Sequence, residues 1–140
     1  MGSRGTIVVE LQLVDIFADI SGFFFARDFV REKGYRVCLD GVTNTSLPLI
    51  DRRKLGVDLV KLFWAPEMVT PGNEENKPTE AVTEAIQKIG KSRLILARCD
   101  SPSSIRAGQS VGLSMFQGRH VDTVLYADSR RAPAPRPAAR

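Results

Sequence analysis

The 140-residue sequence is poor in the side chains that most often carry nucleophilic or metal chemistry, with two cysteines and one histidine. Cys38 and Cys99 each sit inside an apolar run and lack metal-ligand spacing, so they read as small buried hydrophobes in a reducing compartment. His120 has no Ser or Cys nucleophile and no second ligand clustered near it, which leaves no basis for a triad there. No apolar run approaches the ~20 residues of a membrane span, and the amino terminus lacks a signal-peptide profile. The expected location is the cytoplasm, with no membrane partner. An excess of positive charge is also missing from most of the chain. The net charge is +4, but four of the 20 basic residues and only one of the 16 acidic ones fall in residues 128–140. A nucleic-acid footprint should be a basic patch on a fold rather than a run at one end, so no nucleic-acid partner is expected.

What is present is an alternation of strand-like and helix-like segments. The stretch from Tyr35 to Trp64 holds two β-forming runs, YRVCLD and VDLVKLFW, around a connector with helical spacing. Each run carries a charge, Asp40 or Lys61, towards its carboxyl end, where parallel α/β folds keep their sites. Upstream, Thr6 to Leu13 reads as a strand with Glu10 and Gln12 on one face and Val9, Leu11 and Leu13 on the other. Asp19 is a candidate N-cap for a helix through Lys33 that stops at Gly34, with Ile20, Phe23, Phe24 and Val30 buried. The cluster Phe23, Phe24, Phe25 reads as core.

After Tyr35–Asp40 the exit loop is Gly41–Ser46, followed by a short helix over Leu47–Lys54 with Pro48 near its first turn. Val57–Trp64 forms the third strand, with Leu59, Lys61 and Phe63 on one face. Ala65–Lys77 is the longest loop, a surface segment or a candidate lid. Pro78 opens a helix to Ile89 whose buried stripe is Val82, Ala85, Ile86 and Ile89. Arg93–Cys99 is the fourth strand, and Asp100 or Ser101 caps the helix that follows. Leu113–Phe116 is the fifth. Residues 1–126 are expected to form one body and residues 127–140 a disordered Pro/Arg-rich tail.

Five strands, each followed by a helix-like segment, make a (β/α) repeat that is expected to wind in one hand. The fold class is α/β, a partial TIM-type barrel of about five parallel strands. Glu10, Gln12, Asp40, Lys61, Arg98 and Gln117 all fall near strand carboxyl ends. An open doubly wound sheet is the alternative, and the glycine-rich first turn usual in that class is absent.

The order VVELQ, RVCLDG, VDLVKLFW and LILARCDSPSSIRAGQSVGLSMFQGR resembles the later strands of the EAL domain, the barrel that hydrolyses the bacterial second messenger cyclic di-GMP. The resemblance covers roughly Ile7 to Leu125. It implies that Glu10 and Asp40 match metal-binding carboxylates, that Lys61 matches the lysine credited with orienting the attacking water, and that Gln117 matches a glutamine of the site. The family's EAL glutamate and first asparagine lie upstream of the matching region. The second of its paired aspartates is Gly41 here, and a glutamate on the following strand is Arg98. Two-cation phosphodiester hydrolysis needs several oxygen ligands to hold the metals and activate a bridging water. Two carboxylates kept, two lost and one guanidinium introduced imply a cation-free rim. In it Glu10 and Asp40 neutralise Lys61 and Arg98.

The resemblance therefore implies a degenerate, catalytically inactive EAL-like module with no cofactor. Its expected role lies in cyclic di-GMP signalling or in protein interaction, with Lys61, Gln117, Glu10 and Asp40 vestigial and Gly41 and Arg98 disabling. The alternative is a cyclic di-GMP phosphodiesterase using Mg²⁺ or Mn²⁺, completed by upstream sequence or a second subunit. Entry at a barrel's third strand leaves strand edges unpaired. That implies either a fragment of a longer protein or association through those edges, with a partner protein or a second copy.

Overall fold

Runs of aliphatic and β-branched residues form five strands: β1 (Val8–Gln12), β2 (Arg36–Val42), β3 (Leu59–Phe63), β4 (Leu94–Ala97) and β5 (Met115–Phe116). A computed structural model describes residues 7–72 and 77–121. All neighbouring strands pair in parallel and the sheet order is β1-β2-β3-β4-β5. A doubly wound sheet reverses its order at a switch point. Sequential pairing throughout is instead the winding of a (β/α) barrel, and the described residues form five of its eight strands, a partial and open barrel with β1 and β5 as edges.

The pleat separates two faces. Val37, Leu39, Val60, Leu62, Leu94 and Leu96 face the helices and join one core with Phe23, Leu47, Met68 and the inner stripe of α4 (Glu80–Ile89). That stripe is Val82, Ala85, Ile86 and Ile89, all buried, as the helical period predicts. Burying Ile86 or Ile89 alone is worth roughly 1.5–3 kcal/mol. Thr79 starts α4 by accepting a hydrogen bond from the Val82 N–H. The other face of the sheet carries Glu10, Cys38, Leu59, Lys61 and Ile95 around an open cleft of about 590 Å³.

Capping fixes the remaining helices. Asp19 Oδ1 accepts from the Gly22 N–H at 3.0 Å to start α2 (Ile20–Glu32), and Gly34 follows it at φ 82°. The α2 face is narrower than the sequence predicts. Phe23 is buried, but Ile20 is 50% exposed and Phe25 76% exposed, so the phenylalanine cluster divides between core and surface. Leu13–Ala18 forms an additional helix, α1, directly after β1.

The single helix expected over Leu47–Lys54 is two elements, a 3-10 turn at Leu47–Leu49 and α3 at Arg52–Leu55. Between them Ile50 is extended and buried, and Asp51 caps α3 by accepting from the Lys54 N–H. The long loop after β3 is anchored within its described part. Met68 is buried in a 3-10 turn, Pro66–Met68, and Val69 bridges to Pro78. The last helix, α5 (Pro102–Ser110), begins with Pro102 in its first turn as expected, although the Ser101 side chain makes no capping bond. The Pro/Arg-rich tail lies outside the described residues. Among those described, no helix is long and apolar enough to cross a membrane.

Candidate functional site

Strand register brings the sequence-predicted residues together. Glu10 of β1 lies opposite Cys38 of β2, and Cys38 lies opposite Leu59 of β3, so Lys61 is two residues further along that strand on the same face. The Lys61 ammonium crosses β2 and forms an ion pair with Glu10 Oε2. Cys38, fully buried, is the small side chain at the position the pair spans. A bulky residue there would stand between the two charges. Burial alone would depress the Lys61 ammonium, but the hydrogen bond and charge of Glu10, helped by Asp40, outweigh it and hold the group above its ordinary value. Lys61 is therefore a protonated structural cation. Burial and the Glu10 charge push the Cys38 thiol up to about 11, which leaves it protonated and unreactive at neutral pH.

Asp40 is also committed. It is the register partner of Gln12, whose Nε2 donates to Asp40 Oδ2 at 3.0 Å, while Asp40 Oδ1 accepts from the Gly41 N–H at 2.8 Å. The β2–β3 register shifts between Leu39 and Val42, a bulge that admits one extra residue on β2. Gly41 occupies that bulge at φ 88°, a conformation in which any other L residue is strained. Space is not the obstacle, since an added Cβ would meet nothing closer than 3.6 Å.

Arg98 departs from the expected arrangement. The sequence predicts a pair with Glu10 or Asp40, but the guanidinium lies over the Phe63 ring, 4.0 Å from the centroid. The backbone explains this. Register pairs Phe63 with Ala97 at the end of β4, and Arg98 turns away from the strand at φ 62°, the only non-glycine positive φ among the described residues. Gln117 lines a rim cavity of about 480 Å³ with Asp40, Lys61, Phe63 and Arg98. Its backbone completes the β4–β5 junction, with the Gln117 N–H donating to Leu96 O and the Cys99 N–H donating to Gln117 O, each at 2.9 Å.

Glu10, Asp40, Lys61, Arg98 and Gln117 thus converge on one rim and the adjoining face. Sequence reasoning missed Phe63 as the seat for Arg98 and Gln12 as the partner of Asp40. The alternation of Gln12 with Glu10 and of Phe63 with Lys61 was the available signal. His120 donates its backbone N–H to Cys99 O. A pair of divalent cations needs a surround of free oxygen ligands. Here the two carboxylates already hold an ammonium and an amide, and no three His, Cys, Asp or Glu among the described residues group to hold a cation. The donor set does not fit the metals that the family resemblance implies.

No protein-family model and no curated protein matches the sequence. Among solved structures the chain is similar to the N-acetylmannosamine-6-phosphate 2-epimerase from Clostridium perfringens, at 18% identity and a TM-score of 0.46. The match covers 76% of this chain and 48% of that protein, so the chain spans about half the length of the epimerase.

Proposed function

We propose that this chain is a degenerate EAL-like module that performs no hydrolysis and acts in cytoplasmic cyclic di-GMP signalling or as a protein-interaction and regulatory unit. The observation that carries the reading is the Lys61–Glu10 ion pair. The lysine that would orient water and the carboxylate that would hold metal neutralise one another. Removing either from the other would leave an uncompensated, partly desolvated charge. Gly41 and Arg98 support the same reading independently of any upstream sequence or second subunit. One has a backbone that disfavours an aspartate, and the other fixes a cation over Phe63 beside the rim.

The partner in this proposal is a protein or a second copy of the chain, met through the open sheet edge. Ile7 and Val8 at the start of β1 are 44% and 40% exposed, and Val14 and Phe17 on α1, which follows the strand, are exposed as well. A parallel edge without a partner strand among the described residues, with exposed apolar side chains near it, favours association. A strictly monomeric species at micromolar concentration, by size exclusion with light scattering, counts against self-association.

The deciding experiment is titration of the full chain with cyclic di-GMP in the presence of Mg²⁺ or Mn²⁺, following both heat and linear dinucleotide. Heat without product identifies a receptor. Neither signal identifies an interaction module. Linear product overturns the proposal.

A further inference from the structure

The end of the sheet opposite the rim holds another cleft, of about 660 Å³, between the Leu47–Leu55 segment and the carboxyl end of α4. Its residues precede β3 and β4, whereas Asp40, Arg98 and Gln117 follow or end their strands. The walls differ in chemistry. Pro48 and Leu49 supply an apolar side, and Leu49 is 78% exposed, a large hydrophobe left out of the core. Arg52, Arg53, Lys88 and Arg93 supply a cationic side.

The only carboxylate in the lining is Asp51, which caps α3 by accepting from the Lys54 N–H at 3.1 Å, so four positive charges face one negative one. None of the four cations forms an ion pair with any described residue. Arg52 has a structural role, donating to the carbonyls of Ile89 at 3.3 Å and Val57 at 3.1 Å. Lys88 and Arg93 flank the end of α4, where a cation offsets the partial negative charge of the last carbonyls. Arg53 sits likewise in the last turn of α3, but two helix ends do not account for three cations facing one cleft. Cations gathered in one concavity repel each other unless an anion joins them.

We propose that this cleft binds a phosphorylated small molecule, with the phosphate held by Arg53, Lys88 and Arg93 and an apolar portion resting on Leu49 and Pro48. Guanidinium forks suit the several acceptor oxygens of a phosphate. The volume lies within the ~300–1,000 Å³ typical of small-molecule sites. The site is independent of the rim and of the function proposed for it.

The test is calorimetric titration of the full chain with phenyl phosphate and, separately, inorganic phosphate at low ionic strength. Saturable one-site binding of phenyl phosphate is expected. Arg53→Gln and Arg93→Gln should each weaken it about tenfold, the loss of one charge-assisted contact. Leu49→Ser should weaken phenyl phosphate and leave inorganic phosphate unchanged, and Arg98→Gln on the rim should alter neither. Lys88→Gln, at an exposed position, gives the same reading if an arginine variant does not fold. Absence of saturation, or arginine variants that bind as the parent does, overturns the proposal. Equal weakening by Arg98→Gln overturns it too, since binding would then follow net charge alone.

Discussion

Replacing Lys61 by methionine and Glu10 by glutamine, singly and together, isolates the interaction across β2. Methionine keeps most of the buried stem and removes the charge. Exposed ion pairs contribute about 0.2–1 kcal/mol, and removing one partner of a fully buried pair costs about 3–5 kcal/mol. The present pair lies between, because the Lys61 side chain is 11% exposed and that of Glu10 42%. In Lys61→Met the freed carboxylate reaches water, so a loss of about 1 kcal/mol is expected. Glu10→Gln strands the less accessible ammonium, so a loss of about 2 kcal/mol is expected. The double variant should fall short of the sum by roughly 1–2 kcal/mol, the coupling energy of the cycle. Urea denaturation of all four proteins at low and high salt measures it, and the coupling should shrink only modestly with salt because one partner is desolvated. Additivity within about 0.5 kcal/mol would refute the view that these charges hold each other in place.

Other consequences concern the rim and the concave face. Gly41→Asp, which supplies the carboxylate of the family pattern, should cost about 1–2 kcal/mol in thermal or urea unfolding because of the φ of 88°. It should confer no hydrolysis of cyclic di-GMP. Arg98→Ala loses the stacking on Phe63 and keeps the strain, so it should destabilise by about 0.5–1 kcal/mol, whereas Arg98→Gly should be about 1 kcal/mol more stable than Arg98→Ala. The folded Cys38 thiol titrates near 11 against an ordinary 9.0, and the Lys61 ammonium above its ordinary 10.5. For both groups the native state binds the proton more tightly. Stability is therefore full below pH 9 and falls above it, by on the order of 2 kcal/mol near pH 11 from Cys38 alone. Unfolding midpoints from pH 7 to 11 check the slope, and alkylation of Cys38 at pH 8 should require unfolding.

The strands and α4 were readable from their periods, which the bulge at Gly41 interrupts only near the end of β2. In α4 the spacing of Val82, Ala85, Ile86 and Ile89 leaves one possible inner face. Helix α1 was not, since Leu13–Ala18 continues the apolar run of β1 with no glycine, proline or cap to mark the change. The segment before β3 looked like one helix because Pro48 and Gly56 bracket it. Its division depends on Ile50 turning extended to enter the core, which is a tertiary demand. The same distinction runs through the site. Glu10, Asp40, Lys61 and Gln117 could be grouped because each falls towards the end of a strand. The partner of Arg98 could not be assigned, because it depends on a left-handed backbone turn and on the β3–β4 register. The basic cleft was invisible for a simpler reason. Its two walls are separated in sequence by β3 and most of α4, and neither contains a motif.

Mn²⁺ binding, followed by electron paramagnetic resonance of the free ion with and without cyclic di-GMP, bears most directly on the claim that the carboxylates of this face are held by the chain's own donors. No saturable binding below millimolar Mn²⁺ that depends on Glu10 or Asp40 is expected. Two tightly bound ions, released by Glu10→Gln or Asp40→Asn, would contradict it.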